Sequence, residues 1–423
     1  MMKEYLKRLP KELQDLISLA SNVASGQDEA AYLVGGFVRD LIVGVENLDL
    51  DIVIEGNGIA FAQDFAQRLN AKLTVHRRFG TATVIINHRL KIDIASCRKE
   101  SYPYPGSLPV VSRGSLKDDL LRRDFTINAM AIGISGDNFG KLIDFFHGKD
   151  DIQRRQIRIL HALSFIDDPT RILRAIRFEQ RYKFHIESHT LKLLKKALAS
   201  SALEKISCHR LRDELILLLK EPQPIKYIRR INKLIGFSFL SPDFHFSKRT
   251  EAFLKAIAAQ INWFKNYTPR KRMLDVWLIY LIGLIGYLSV NRIKALCTAF
   301  GFSKGEVKRI LSYKKTIVVL GNKLRRSLPP SRVYKYLEPL SYEVILLLNA
   351  KYRDKALRQN IADFFNIYNG VRIQATGNDL AGLAIAPGPR YKDILTRILY
   401  AKLDGKIKTK AQELEFIKRL AKR

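Results

Sequence analysis

The spacing of apolar residues changes period several times in the first third of the chain. Over residues 11–24 apolar positions recur every three to four residues, which predicts a helix with one buried face. The opening MMKEYLKRLPKELQDLI also reads as an amphipathic helix and lacks the apolar run of a secretory leader. Short apolar runs at 31–34 and 50–54 predict strands, 58–69 a helix, and 73–75, 82–86 and 91–95 further strands. This alternation predicts a mixed α/β unit over roughly the first 145 residues. Residues 101–116 (SYPYPGSLPVVSRGSL) are rich in Pro, Gly and Ser and read as a long loop inside that unit, of the kind that carries function. From about residue 150 the strand pattern nearly vanishes. Long helical patterns follow, broken at Pro222, Pro224, Pro242, Pro269 and the pair Pro329 and Pro330. The most apolar stretch, 276–290, is shorter than the ~20 residues a membrane span requires and predicts a buried helix.

The chain has 423 residues, 47% of them hydrophobic, enough for more than one core. Charge changes the picture more. Lys and Arg number 73 against 41 Asp and Glu, a net of +32. A small-metabolite enzyme has no need of that excess. A polyanionic partner does reward it, because each neutralised phosphate releases counterions. The alternative is charge spread for solubility. Cys97, Cys208 and Cys297 have neither metal-ligand spacing nor an even number for disulfides, which predicts a reducing, cytoplasmic setting.

Two glycines and two acids carry the first candidate chemistry. Gly35 and Gly36 follow one apolar run, and Asp49 and Asp51 sit on the next, among Leu50, Ile52, Val53 and Ile54. Alternate residues of a strand point to one side, so the two carboxylates project together. Acids paired at the edge of a core repel unless a cation lies between them. Mg²⁺, shared by carboxylates and substrate phosphates, suits that position. Adjacent glycines let backbone approach those phosphates. The combination predicts metal-dependent chemistry on a nucleotide. Arg39 and Asp40 either form an ion pair that holds the turn or leave Arg39 to face a triphosphate. Asp93, on a later strand, is either a further metal ligand or a strand-end acid.

In LRRDFTINAMAI, Arg122 and Arg123 offer planar forks suited to phosphate, and Thr126 and Asn128 can bond a ribose or the backbone; the alternative is a pair of surface arginines before a core segment. In FIDDPTRILRAIRFEQRYK, Asp167 or Asp168 can cap a helix with Pro169 in its first turn. Asp168, Arg171, Arg174 and Arg177 then recur every three residues on one drifting face, opposite Ile172, Leu173 and Ile176. In a generic helix this is an ion-pair stripe. An Asp, however, accepts from the amino group of cytosine or adenine while an Arg donates to the adjacent ring nitrogen. Guanine and uracil reverse that order and leave groups unpaired. An Asp–Arg pair one turn apart can therefore select C and A without a template. In HRLRDE, Arg210 and Glu214 are four residues apart, face each other and brace that helix. His185 and His189 share this spacing, but with no third ligand evident zinc is not expected.

In this order the segments resemble the class II tRNA nucleotidyltransferases, the CCA-adding enzymes, together with the bacterial poly(A) polymerases of the polymerase-beta-like superfamily. GGFVRD with LDLD matches motif A, RRDFTINAMA motif B, LIDFFHGKDDI a degenerate motif C, DDPTRILRAIRF motif D and HRLRDE motif E; residues 376–410 resemble the family's tail. The resemblance implies an α+β protein. An N-terminal mixed α/β nucleotidyltransferase head (1–147) would precede an elongated all-helical neck (148–260), body and tail (261–423). It implies template-independent addition of C and A to the 3′ end of tRNA from CTP and ATP. Asp49 and Asp51, with Asp93, would hold two Mg²⁺ ions, and Gly35, Gly36, Arg39, Arg122 and Arg123 would cradle the triphosphate. Asp124 and Asn128 would meet the ribose, Asp168 and Arg171 would read the base with Arg174 and Arg177, and Arg210 and Glu214 would brace the reading helix. Body and tail would grip the acceptor arm and elbow of tRNA, with no membrane involved. Residues 98–116 match the mobile loop that helps this family switch from C to A. The chain departs from the family where Asp167 replaces the usual Glu of motif D, His209 replaces the Glu that opens motif E, and Phe146-His147-Gly148 replaces the Gly-Gly of motif C. Asn128-Ala129 and HRRFGTATVI (76–85) look like the tRNA branch rather than the poly(A) branch. The long loop fits either full CCA addition or A addition alone beside a separate CC-adding enzyme. An inactive RNA-binding protein on this fold is the non-enzyme alternative.

Overall fold

The computed structural model describes residues 2–87, 90–267, 272–383 and 385–421; the helix break expected at Pro269 lies outside them. Two compact units divide the chain, Met1–Glu214 and Leu215–Arg423. The boundary expected after residue 147 falls inside the N-terminal unit, and that after residue 260 inside a single helix, Lys248–Tyr267.

The first unit carries β1 (Ala30–Val34), β2 (Leu50–Glu55), β3 (Lys72–His76), β4 (Thr81–Ile85), β5 (Lys91–Ser96), β6 (Arg98–Ser101), β7 (Val110–Arg113), β8 (Ala131–Gly133), β9 (Leu142–Ile143), β10 (Gln156–Ile157) and β11 (His185–Ile186). Among the described residues seven of these form one mixed sheet in the order β3-β4-β5-β2-β1-β8-β9. Only β2 and β5 run parallel in it, which sets Asp51 directly beside Asp93. Helices α1 (Lys3–Lys7), α2 (Lys11–Gly26), α3 (Gly36–Val43), α4 (Gly58–Arg68), α5 (Leu116–Leu121), α6 (Gly148–Gln153), α7 (Ser164–Asp167), α8 (Thr170–Tyr182), α9 (Ser188–Ala199) and α10 (Cys208–Lys220) accompany the sheet.

Strand β2 is buried at Leu50, Ile52, Val53 and Ile54, so both faces of the sheet centre are covered. On one face α4 buries Phe61 and Phe65, whose rings stack at 6.0 Å; each contributes about 1.5–3 kcal/mol by leaving water. A second cluster joins Tyr32, Val34 and Val53 to Leu116 and Leu120 of α5.

Two sequence expectations change here. The opening amphipathic helix is two helices, because Pro10 cannot donate to a continuing helix and holds an extended backbone (ψ 143°) between α1 and α2. The stretch 98–116 is not a plain loop. Strands β6 and β7 pair antiparallel as a separate ribbon, and the turn between them is held by Gly106, whose N–H donates to Ile166 O at 3.2 Å. Gly106 has φ +73°, and a Cβ there would lie 2.7 Å from Lys205 O.

The second unit is helical: α11 (Pro224–Leu234), α12 (Lys248–Tyr267), α13 (Val276–Ile285), α14 (Val290–Ala299), α15 (Lys304–Leu324), α16 (Pro330–Leu337), α17 (Tyr342–Lys351), α18 (Lys355–Asn366), α19 (Gly377–Ala381), α20 (Pro389–Leu403) and α21 (Lys410–Ala421). Pro224 and Pro330 open their helices, where a missing N–H costs nothing. The apolar run at 276–290 becomes α13, buried from Trp277 to Ile285. Among the described residues no helix is long and apolar enough to cross a membrane. A smaller core of Leu380, Ile385, Ile394, Ile398 and Ile417 joins α19, α20 and α21. Fully buried Glu413 of α21 accepts from the backbone of Gln374 (2.8 Å) and Ala375 (2.7 Å) and from Lys402 Nζ (2.7 Å).

Candidate active site

A cavity of about 310 Å³ opens on the first unit where β2 and β5 run side by side, lined by Asp51, Asp93, Thr83, Arg98, Arg122 and Arg123 among others. Asp51 projects from β2, while Asp49 stands exposed one residue before it, its N–H donating to Asn47 Oδ1 at 2.8 Å. Burial pushes the Asp51 carboxyl up to about 6; Arg123 opposes that rise, and the charges of Asp93 and Asp49 add to it. Gly35 closes one side in a left-handed conformation (φ +69°). A Cβ at Gly35 would lie 2.5 Å from Arg123 Nη1 and 3.7 Å from Asp51 Oδ2, so the glycine makes room for the guanidinium beside the acid. Gly36 is the first residue of α3.

Arg122 and Arg123 are aimed by one fully buried acid. Asp119 accepts from Arg122 at 2.7 Å and from Arg123 at 3.0 Å, and Arg122 also meets Glu100 at 3.1 Å. Burial alone would raise the Asp119 carboxyl, but Arg123 and Arg122 outweigh it and hold it below the usual range. Arg123 Nε is buried and has no hydrogen-bond partner, which leaves a donor at the cavity for an anion to satisfy.

Arg39 is buried and held by protein partners. It is 4% exposed and forks onto Asp40 through two 2.9 Å bonds. Its guanidinium lies 5.1 Å from the Phe178 ring centre and 4.8 Å from that of Tyr182, which favours a cation that has left water. Asp40 also accepts from Tyr182 Oη (2.7 Å) and Asn47 Nδ2 (2.8 Å). Asn47 in turn holds the Asp49 amide, so Asp40 ties α3 and α8 to the segment that delivers Asp49. On its other side Arg39 donates to Asn128 Oδ1 (2.5 Å), and Asn128 donates to Asp124 Oδ1 (2.8 Å). Asp124 and Asn128, expected at a ribose, are here links in this buried chain.

The base-reading residues are distributed differently from the expectation. Asp168 Oδ1 accepts from the N–H (3.0 Å) and hydroxyl (2.6 Å) of Thr170, and Oδ2 faces Arg210 Nη2 at 2.9 Å. Arg171 is buried and donates to Ser164 Oγ (2.6 Å) and Arg122 O (2.8 Å). Arg174 is committed to Asp124 (2.6 Å) and Glu214 (3.1 Å), and Arg177 meets Glu214 at 3.4 Å. Arg210 and Glu214 therefore do not pair with each other. Each has a partner from another segment: Arg210 holds Asp168, while Glu214 braces α8. Arg210 also donates to Gly106 O at 3.3 Å, fastening the β6–β7 turn beside motif D. His185 lies in β11 and His189 in α9, separated by the helix cap Glu187, so they do not share a helix face.

Among the described residues no group of three or more His, Cys, Asp or Glu side chains is arranged to hold a metal ion. Asp93, expected as a third carboxylate, accepts from Thr83 Oγ1 (2.6 Å) and lies 3.4 Å from Lys91 Nζ. Asp119, Asn47 and Tyr182 were missed in the sequence. Asp119 carried a usable signal, three and four residues ahead of Arg122 and Arg123 on a helical stretch. Tyr182 carried none, since its partner Asp40 is 142 residues away.

A family model described as the poly A polymerase head domain matches residues 31–158, and one described as a probable RNA and SrmB-binding site of polymerase A matches 183–246. The A-adding tRNA nucleotidyltransferase of Geobacter sulfurreducens is 38% identical over 421 residues, 98% of this chain, which spans about half (48%) of that relative's length. The A-adding tRNA nucleotidyltransferase of Halalkalibacterium halodurans is 34% identical over 396 residues, 91% of this chain and 87% of the relative. The solved Thermotoga maritima CCA-adding enzyme complexed with tRNA covers 100% of this chain and 98% of its own, at 33% identity and a TM-score of 0.74.

Proposed function

The chain belongs to the tRNA nucleotidyltransferase family, and from that membership we propose that it builds the CCA end of tRNA from CTP and ATP, without a template and in the cytoplasm. The RNA 3′-hydroxyl oxygen attacks the α-phosphorus of the nucleotide and loses its proton to solvent. The new O–P bond replaces the α–β bridging bond, and pyrophosphate leaves.

The observation that carries this reading is the convergence of Asp51, Gly35 and Arg123 at one cavity, with Asp51 pushed up to about 6 by burial and neighbouring acids. Arg123 offsets that rise only in part, and Asp49 and Asp51 are hard oxygen donors of the type Mg²⁺ takes together with substrate phosphates. Mg²⁺, when bound, would neutralise phosphate charge and ease ionisation of the attacking hydroxyl. Arg123 offers its spare Nε–H to the triphosphate, held in place by Asp119. Asp168, oriented by Arg210, accepts from the amino group of C or A. Arg171 completes the reading pair once it exchanges Ser164 for the base's ring nitrogen.

Single-nucleotide incorporation tests this. Three tRNA transcripts, ending at the discriminator base, at C and at CC, are each given CTP, ATP or both. Expected is completion of CCA on the shortest transcript, then arrest. A second reading is A addition alone, favoured by the A-adding relatives at 38% and 34% identity. Under it, ATP enters only the CC-ending transcript. Long A runs on unrelated RNA would overturn both.

A further inference from the structure

A cavity of about 410 Å³ lies wholly within the second unit, between α12, α17 and α18, far along the chain from the residues assigned to chemistry. Three cations line it: Arg353 from the link between α17 and α18, and Lys355 and Arg358 from the start of α18. None of the three makes an ion pair among the described residues. Trp263 of α12 contributes a half-buried indole, packed 6.0 Å from Phe365. Asn349 of α17 is 4% exposed and lines the same cavity. Its Nδ2 donates to Gln260 Oε1 at 2.6 Å, but its Oδ1 is buried and has no partner. A buried carbonyl without a donor is uncommon in a folded protein and asks for an explanation.

The three features have one occupant in common. An aromatic face takes a base by stacking, an unpaired amide oxygen takes a base N–H, and carboxylate-free cations take the attached phosphate. We propose that this cavity binds a single unpaired nucleotide of the RNA, stacked on Trp263, bonded to Asn349 Oδ1, with its phosphate held by Arg353, Lys355 and Arg358. The proposal rests on the reading of RNA as the substrate. A free mononucleotide shares this chemistry, and the test separates the two sources.

The full chain is titrated with a tRNA transcript by filter binding, for the wild type and for Trp263→Ala, Trp263→Phe and Arg358→Ala. AMP is titrated separately against tryptophan fluorescence. Expected is a roughly 10-fold weaker Kd for Trp263→Ala, as for loss of one stacked base. Trp263→Phe should recover most of it, and Arg358→Ala should lower the salt slope by about one. Arg358 is exposed, so that variant carries the test if Trp263→Ala melts at a lower temperature. Unchanged tRNA Kd in Trp263→Ala and Arg358→Ala, with no saturable quenching by AMP, overturns the site. Saturable quenching by AMP with unchanged tRNA affinity in those variants overturns the RNA occupant in favour of a free nucleotide. Wild-type protein that neither binds nor extends tRNA overturns this proposal and the functional reading together, a result visible without any variant.

Discussion

Asp51 shows how a functional residue opposes the fold that holds it. Its carboxyl is raised from 3.8 to about 6, with burial the largest cause, so the folded protein binds this proton more tightly than the unfolded chain does. By linkage the metal-free protein loses stability as pH rises from about 4 to about 6, and the loss persists above that. Asp51→Asn should therefore be more stable than wild type at pH 7 without metal, by up to about 3 kcal/mol at 1.36 kcal/mol per pKa unit. The difference should shrink as pH falls through about 6 and also when Mg²⁺ is added, both readable by thermal unfolding. The same variant should lose nucleotide incorporation. A variant that melts no higher and still incorporates nucleotide would contradict the metal assignment. Gly35→Ala belongs to the same scale. It strains a φ of +69° and presses on Arg123, so KM for the nucleotide should rise while tRNA affinity holds.

At the scale of elements, α8 is the organiser. Its Phe178 and Tyr182 enclose Arg39 of α3, its Arg174 and Arg177 reach Glu214 of α10, and Tyr182 bonds the Asp40 that fixes the approach to β2. Asp40→Asn should cost about 3–5 kcal/mol in urea unfolding, because it leaves a buried guanidinium uncompensated. Tyr182→Phe removes one hydrogen bond and should cost about 1 kcal/mol. These elements also mark what could be read in advance. Strands β1 to β5 and helices α2 and α4 lay where the apolar periods put them, within two residues, because each buries a face whose period is local to the sequence. The β6–β7 ribbon reads as a loop in the sequence, since its strands are short and charged, with few apolar positions, and Pro103, Pro105 and Pro109 lie between them. Asp49, Asp51, Arg122, Arg123 and Asp168 were recognisable as candidates from residue type and spacing. The Arg39–Asp40 pair is one of the two readings its position offers in the sequence, whereas the roles of Asp124, Arg174 and Arg210 are not legible there, because their partners come from other segments and only tertiary packing selects them.

For the molecule as a whole, charge dominates. A net of +32 on 423 residues predicts that binding of the proposed tRNA substrate is driven largely by counterion release. The logarithm of the tRNA association constant should fall linearly with the logarithm of salt, by about 0.7–0.9 per phosphate contacted, with a total slope of several units. A nearly flat dependence would mean that the positive charge serves another purpose. The tail core adds a consequence of a different kind. Residues 374 and 375 present two backbone amides, and α20 an apolar face, that α21 covers through Glu413 and Ile417. During translation these surfaces emerge before their cover does. The tail therefore stays open on the ribosome until the codons for α21 have been read, and a nascent chain stalled earlier displays an unclosed seam to the cell's chaperones.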